Sequence, residues 1–374
     1  MTKVSLNHNF DAARKAKNDE FYTQYHDIEK EMNAYLEFNP DVFRDKTILL
    51  PCDDPEWSNF TKYFAQKFTE LGLKKLISTS YAPSSKPSQI PYQPTLFELD
   101  SPDFDEAKTQ SNGKIFTLTQ DKTGDGVINV EDLQWSYLEG DGDFRSAEIR
   151  ALRDEADIII TNPPFSMFRE FFGWIVNAKK DFAMIGNMNA ITYKEVFPFI
   201  QANKVWLGAT GNGSDMVFRV PEGFVVAPKD KEKAEKLGYV GDYTRLGNSC
   251  WFTSIEHGRR HEPLSLMTME ENKKFNKTIQ AVGYAEYDNY VAIEVPRTDA
   301  IPSDYEGVMG VPISFLHKYD PEQFEILGSQ RWSKSPDLAR IYRGKKTLDT
   351  DKATLINGKE TYDRIFIRHR KPSS

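Results

Sequence analysis

Residues 157–168 read DIIITNPPFSMF. Asp157 leads into Ile158, Ile159, Ile160 and Thr161, a β-branched run of strand length with no polar alternation. Such a run suits a strand covered on both faces, as in a parallel sheet. Asn162, Pro163, Pro164 and Phe165 end it, and MFREFFGWIVNAKK (167–180) follows with helical spacing. The same grammar extends in both directions. KTILLPC (46–52), NFTKYFAQKFTELG (59–72) and KKLISTSYA (74–82) predict strand, helix and strand; SAEIRALRDEA (146–156) predicts a helix before the central strand. DFAMIGNMNA (181–190), KEVFPFIQAN (194–203) and KVWLGAT (204–210) predict strand, helix and strand after it, and GNSCWFTSI (247–255) adds a late strand. This alternation predicts an α/β, doubly wound, Rossmann-like sheet.

Asn162 stands at the carboxyl end of its strand, where such sheets bind ligands. Its side chain offers one acceptor oxygen and a donor pair. Pro163 keeps its carbonyl and has a fixed φ, and Pro164 holds Pro163 extended. The Asn162 side-chain oxygen and the Pro163 carbonyl are then two fixed acceptors beside the flat face of Phe165. They suit a planar amine such as the exocyclic amino group of adenine. The lone pair of that nitrogen is delocalised into the ring, and acceptors gripping its hydrogens favour a nitrogen that can attack an electrophilic methyl group. Orientation and fixed dipoles supply the gain. A rigid turn after a strand also accounts for Asn-Pro-Pro, and the same tetrapeptide class serves methylation of glutamine side chains.

A methyl donor such as S-adenosylmethionine needs its own contacts. LLPCDDPEWSNF (49–60) follows the first strand and offers Pro51, Cys52, Asp53, Asp54, Asn59 and Phe60, in place of a glycine-rich loop. Acidic side chains there could hold the donor's ammonium group. LEGDGDF (138–144) offers Asp143 to accept from an adenine amino group and Phe144 to stack on the ring. NDEFYT (18–23) offers Asp19, Phe21, Tyr22 and Thr23 near the start of a helix expected over 18–37. A glycine-aspartate cluster is also an ordinary turn.

Taken with NDEFYTQYHDIEKEM, CDDPEWSNF, GDGDFRSAE, DIIITNPPFSMFREF, IGNMNAITYKEVFP, GNSCWFT, YDNYVAIEV and YEGVMGVPISFLHKYDPEQFEILG, these features cover nearly the whole chain in order. The chain resembles the EcoRI-type adenine-specific DNA methyltransferases. The resemblance implies S-adenosylmethionine as donor, N6 methylation of an adenine flipped out of duplex DNA, and no metal in the chemistry. It places Asn162, Pro163, Pro164 and Phe165 at the target base, and Asp53, Asp143 and Phe144 on the donor. The strand–helix alternation breaks in a Pro-, Ser- and Asp-rich stretch and fades beyond about residue 260, which predicts a catalytic domain over residues 1–260, with an insertion at about 82–135, and a second, mostly β or mixed region over 261–374, expected to recognise the DNA target. Asn187, Asn189 and Tyr193 could line the base pocket or the DNA groove, or cap the next helix. Two rivals stand beside this reading: a methyltransferase-like protein that binds DNA without transferring anything, and a methyltransferase of RNA or of a protein glutamine. No second constellation for cutting DNA is visible, so a restriction endonuclease partner would be a separate protein.

The 374 residues can bury a large core, and 25 Phe, 17 Tyr and 6 Trp argue against disorder. Cys52 and Cys250 make neither a metal spacing nor a disulfide framework. No membrane span or signal peptide is expected, and a cytoplasmic monomer is the plain expectation. DKTGDGVINVED (121–132) places Asp121, Thr123, Asp125 and Asp132 at EF-hand-like positions, so structural calcium is a candidate against a turn-rich connection. The net charge is −8, yet Arg340–Ser374 holds ten Lys/Arg against four Asp/Glu. Arg343, Lys345, Lys346, Arg368 and Arg370 are therefore candidate DNA contacts. Alternation in RIFIRHR would turn Arg364, Arg368 and Arg370 outward together. A charged, solvated edge strand is the competing account.

Overall fold

In the computed structural model the described residues are 21–53, 58–82, 101–210, 216–220, 224–331, 336–343 and 353–370. They fall into two units. One comprises the described residues of Met1–Asn187 and Gly213–Ile255, the other those of Met188–Asn212 and Glu256–Ser374.

The strands of the chain, in order, are β1 (Tyr22–Thr23), β2 (Thr47–Leu50), β3 (Lys75–Ser80), β4 (Lys114–Leu118), β5 (Gln134–Tyr137), β6 (Ile158–Thr161), β7 (Asp181–Asn187), β8 (Trp206–Leu207), β9 (Val217–Arg219), β10 (Tyr243–Arg245) and β11 (Ser249–Thr253). They continue as β12 (Ile293–Glu294), β13 (Met309–Pro312), β14 (Phe324–Ser329), β15 (Leu355–Ile356), β16 (Lys359–Glu360) and β17 (Arg364–His369).

In the first unit the main sheet runs β5-β4-β3-β2-β6-β7-β11. Its centre is parallel: Ile48 pairs with Leu76 of β3 and with Ile158 of β6, and Ile159 pairs with Phe182 of β7. All four residues of β2 and of β6 are buried. That burial explains the unbroken apolar runs, because helices cover both faces of a parallel sheet. The helix Asn59–Gln66 is capped by Ser58, whose side chain accepts from Phe60 N at 3.1 Å. Gly72, at φ 64°, caps the helix Phe68–Leu71 that follows. Helix Phe168–Asn177 buries Phe168, Phe171, Phe172, Trp174 and Ile175. Phe168 lies so close to Gly186 of β7 that a Cβ there would overlap its ring.

The insertion after β3 is less of an excursion than its composition suggests. Within it β4 pairs antiparallel with β3 (Leu76 with Leu118), and β5 pairs antiparallel with β4 (Phe116 with Trp135). On the other side β11 pairs antiparallel with β7. A separate small sheet, β1-β9-β10, carries the N-terminal residues Tyr22 and Thr23. The helix expected over 18–37 is Tyr25–Phe38.

The second unit holds the sheet β12-β13-β17-β14 and the hairpin β15-β16. Tyr287, Tyr290, Ala292, Leu327, Leu338 and Phe366 pack together in it. Residues 188–212 belong here, although a cut near 260 would leave them in the first domain. They are tied in by long-range contacts. Gln201 Nε2 donates to Leu327 O at 2.9 Å, His257 Nε2 lies 2.9 Å from Leu207 O, and the Arg260 guanidinium stacks 3.6 Å from the Trp206 ring centroid.

Two expectations for β17 change. It lies between β13 and β14, not at an edge. Arg364 is buried and forms an ion pair with Glu294, Nε to Oε2 at 2.9 Å and Nη2 to Oε1 at 2.5 Å, with Tyr287 Oη donating to the same carboxylate. Residues 364–367 of β17 are all buried, on both faces of the strand, so alternation does not turn Arg364 outward. No helix among the described residues is long and apolar enough to cross a membrane.

Candidate active site

The carboxyl ends of β2, β3 and β6 meet the segment that leads into β1, all within the first unit. Thr161, last in β6, places its hydroxyl 2.6 Å from Pro51 O and 2.8 Å from Asp53 Oδ2, donating its one hydrogen between them. Ser58 Oγ donates to Asp53 Oδ1 at 2.9 Å, and Asp53 N donates to Thr79 O at 2.8 Å. Thr61 Oγ1 and Ser78 Oγ both reach the Asp53 carbonyl. Asp53 is therefore a buried tie between strands and a helix cap. Its two carboxylate oxygens accept from hydroxyls of the chain itself, which differs from the donor contact expected of it.

Asn162 follows directly. Its Nδ2 donates to Phe21 O at 2.6 Å and to Thr23 Oγ1 at 3.2 Å. The orientation is forced, because an amide oxygen turned toward the Phe21 carbonyl would repel it. The amide's donor half is spent on Phe21 and Thr23, and Oδ1 is the half left over. Asn59 Nδ2 donates to Thr23 O at 2.7 Å, so one short segment connects Asn162 to the helix after β2. Pro163 is buried, and Met167 N donates to Pro164 O at 2.9 Å, closing the 3-10 turn Phe165–Met167. The half-buried Phe165 ring lies 5.7 Å from Phe21 and 6.4 Å from Phe218, so its plate is set by an aromatic cluster. Sequence reading expected two fixed acceptors and an aromatic face; the anchoring by Phe21 and Thr23 is what it could not show.

The loop after β5 lies against the end of β3. Ala82 N donates to Asp141 O at 2.8 Å. Gly142, at φ 84°, packs on the Ser80 carbonyl where a Cβ would overlap it. Asp143 is part-buried and accepts from Arg145, Nη2 to Oδ2 at 2.6 Å and N to Oδ1 at 2.7 Å. The hydrogen bonds from Arg145 hold its carboxyl below the usual carboxylate range against the opposing effect of burial. Phe144 is 1% exposed and packs on Phe171 at 4.8 Å and Trp174 at 5.7 Å. Phe60, expected beside the donor, is 2% exposed and edge-on to Trp251. Both rings are core residues whose faces are already covered by neighbours, and neither stacks on a ligand without repacking.

Tyr81, which sequence reading passed over, stands in the same place. Its hydroxyl is buried beside Cys52, Asp143 and the Phe144 amide, and burial first pushes it far above its usual range. Cys52 itself has φ 68°, the left-handed region that a non-glycine residue rarely adopts. The signal for Tyr81 was its position, the first residue past a parallel strand's carboxyl end. The Asp143 carboxylate, the Tyr81 hydroxyl and the close approach of Gly142 make a polar strand end whose chemistry fits the adenosine portion of S-adenosylmethionine.

Other candidates are dispersed. Asp19, Asp54, Lys345 and Lys346 lie outside the described residues. Tyr22 is in β1, Asn187 ends β7, and Asn189 and Tyr193 belong to the second unit, where Tyr193 N donates to Ala190 O at 3.0 Å. Arg368 pairs with Glu325 at 2.6 Å, Arg370 Nε donates to Pro321 O at 2.7 Å, and Arg343 lies 4.0 Å from Glu286. These exposed partners are weak enough to exchange. The loop expected to hold calcium is occupied by its own backbone. Asp132 accepts from the amides of Lys122, Thr123 and Asn129 at 2.8–2.9 Å, and Asp121 from those of Gly124 and Gly126. The amides, Thr123 and Asn129 first, draw the Asp132 carboxyl down to about 2. No group of three or more His, Cys, Asp or Glu among the described residues is placed to hold a metal ion. The shorter Asp at the last loop position caps the 3-10 turn Val130–Asp132 instead of reaching inward.

A parallel sheet with the Asn162 amide fixed at the end of β6 is the arrangement expected of a methyltransferase of amino groups. The family model for the adenine-specific methyltransferase EcoRI matches residues 9–370. The chain is 38% identical to the Type II methyltransferase M.EcoRI of Escherichia coli, over 99% of each chain. It is 30% identical to the Type II methyltransferase M.MpnI of Mycoplasma pneumoniae, and 31% to M.MgeORF184P of Mycoplasma genitalium, each over 97% of this chain and 99% of the relative. No solved structure matches it significantly. The chain belongs to the EcoRI family of adenine-specific DNA methyltransferases, and S-adenosylmethionine is the family's methyl donor.

Proposed function

We propose that this enzyme methylates the N6 nitrogen of an adenine turned out of duplex DNA, within a recognition sequence read by the second unit. The observation that carries the proposal is the pinning of Asn162 Nδ2 by Phe21 O and Thr23 Oγ1, which leaves Oδ1 to the target. When bound, S-adenosylmethionine supplies an electrophilic methyl group. Asn162 Oδ1 and the Pro163 carbonyl would grip the two amino hydrogens and raise the availability of the nitrogen lone pair. Phe165 would cover the base face. The arrangement costs no reorganisation at the moment of reaction, because each group is held by the fold.

Turning a base out of the stack costs a few kcal/mol, which contacts elsewhere on the duplex must offset. We place part of them in the second unit. A cavity of about 890 Å³ there is lined in part by Arg259, Ser265, Arg297, Ser314 and Lys318. Arg297 pairs with Asp299 at 3.0 Å, whereas the exposed Arg259 and Lys318 have no carboxylate partner among the described residues. Unpaired cations beside hydroxyls suit the phosphate backbone, whose contacts position a protein without reading bases. The chain would carry methylation alone, with cleavage of unmodified DNA left to a separate nuclease.

Labelled S-adenosylmethionine offered with duplex DNA, RNA and protein tests the reading. Label should enter duplex DNA as N6-methyladenine at one sequence. Label in RNA or in protein glutamine, with none in DNA, would overturn it.

A further inference from the structure

The cavity of the second unit has a wall that phosphate contacts leave unused. β12 and β13 run parallel, and their carboxyl ends continue into residues 296–299 and the 3-10 turn Ile313–Lys318, both of which line it. Phe315 and Leu316 seat that turn in the core, with Phe315 edge-on to Phe324 at 5.3 Å. The seat fixes His317, whose half-buried imidazole lines the cavity. Its Nε2 lies 3.4 Å from Met188 Sδ, and its Nδ1 is buried with no hydrogen-bond partner among the described residues. A thioether can only accept, so Nε2 carries the hydrogen and Nδ1 keeps a bare lone pair. Burial, then the Arg259 guanidinium, brings the His317 pKa down to about 4, so the ring is a neutral acceptor at neutral pH. A buried acceptor left without a donor calls for a group that supplies one. The neighbours indicate its class: Arg259, Ser314 and Lys318 line the same cavity and suit a phosphodiester chain. On such a chain the exocyclic amino groups of adenine and cytosine are the donors that a neutral acceptor takes. The keto oxygens of guanine and thymine would set a second lone pair against it.

We infer that His317 determines part of the sequence specificity: its Nδ1 accepts a hydrogen bond from the exocyclic amino group of an adenine or cytosine in the recognition sequence, other than the adenine that is methylated. This role rests on the methylation of duplex DNA proposed above, and adds a base contact to a cavity given only phosphate contacts there.

The test compares the parental enzyme with His317→Phe, which keeps a ring but no acceptor, and with His317→Asn, whose side-chain oxygen can stand where Nδ1 stands. Each is offered a pool of duplexes randomised around an adenine, and the methylated molecules are sequenced. At one position the parental enzyme should favour adenine or cytosine over guanine and thymine. His317→Phe should lose about tenfold of that preference, and His317→Asn should keep most of it. A base analogue lacking the amino group at that position should lower the parental kcat/KM about tenfold and cost His317→Phe nothing further. The contact is neutral, so His317→Phe should leave the slope of log affinity against log salt unchanged. Parental preferences at every position in His317→Phe would overturn the inference, and with a lower melting temperature they would mark a structural imidazole. A flattened salt slope would overturn it too. Should His317→Phe not fold, His317→Gln, whose carbonyl reaches past the Nδ1 position, takes its place with the same outcomes. If the parental enzyme methylates no duplex in the pool, the DNA reading itself falls, and that outcome is separate from any effect of a substitution at His317.

Discussion

Asn162 Nδ2 donates to the carbonyl oxygen of Phe21 at 2.6 Å, across 141 positions of sequence. This bond decides which half of the Asn162 amide faces outward. It makes a residue at the end of the central sheet depend on a segment at the other end of the unit. Asn162→Ala should lower kcat by about 10²–10³-fold, the scale of removing one preorganised polar group at a reacting centre. Affinity for S-adenosylmethionine should stay within about twofold in calorimetry. Single-turnover transfer at the parental rate would remove Asn162 from the chemistry.

Asp53 joins β6 to the cap of the helix after β2 through Thr161 and Ser58. Asp53→Ala strands those hydroxyls and should cost about 1–3 kcal/mol of stability in urea denaturation. Asp53→Asn should cost much less, because hydroxyl groups can turn to accept from an amide. A parental urea midpoint for Asp53→Ala together with collapsed donor affinity would show that Asp53 holds the ligand after all.

The buried pair of Arg364 and Glu294 gives a sharper stability test in the second unit. Arg364→Ala leaves a buried carboxylate unpaired and should cost about 3–5 kcal/mol, whereas adding Glu294→Ala should restore part of that loss. Additive losses in the double variant would mean that the pair contributes no coupling.

Arg259→Ala with Lys318→Ala should weaken cognate and non-cognate duplexes alike. Each lost phosphate contact should flatten the slope of log affinity against log salt by about 0.9. Donor affinity should not change. An unchanged slope would take the second unit's cavity off the DNA.

His257 is buried with Nε2 against Leu207 O, and burial brings its pKa down to about 4. The unfolded chain therefore binds a proton that the folded chain does not, between about pH 6.5 and 4. Its contribution is full above about 6.5 and falls as the pH drops toward 4, by up to about 1.4 kcal/mol per pH unit. His257→Gln should flatten the pH dependence of stability across that window. An identical profile in the variant would place the acid sensitivity elsewhere.

The apolar run at 158–161, its Asn-Pro-Pro-Phe ending and the alternation around it were legible from local pattern, because a strand covered on both faces must be apolar throughout. The same locality explains why Asn162 could be named as an acceptor before any partner was visible. What pattern could not supply was pairing between distant residues. Asp53 looks like a ligand contact until Thr161 and Ser58 are seen to use both its oxygens, and Phe144 looks like a stacking plate until Phe171 and Trp174 cover it. RIFIRHR reads as an alternating edge strand, yet β13 and β14 enclose it and Glu294 receives Arg364. Tyr81 carries no motif of its own, and only the fold shows Gly142 packed against its Cα and its hydroxyl buried. Sequence determined the elements and the residue types that stand at the end of β6, since both depend on neighbours a few residues apart. Tertiary structure decided which polar groups remain for ligands, since a hydrogen bond is used up by whichever partner the fold brings within reach.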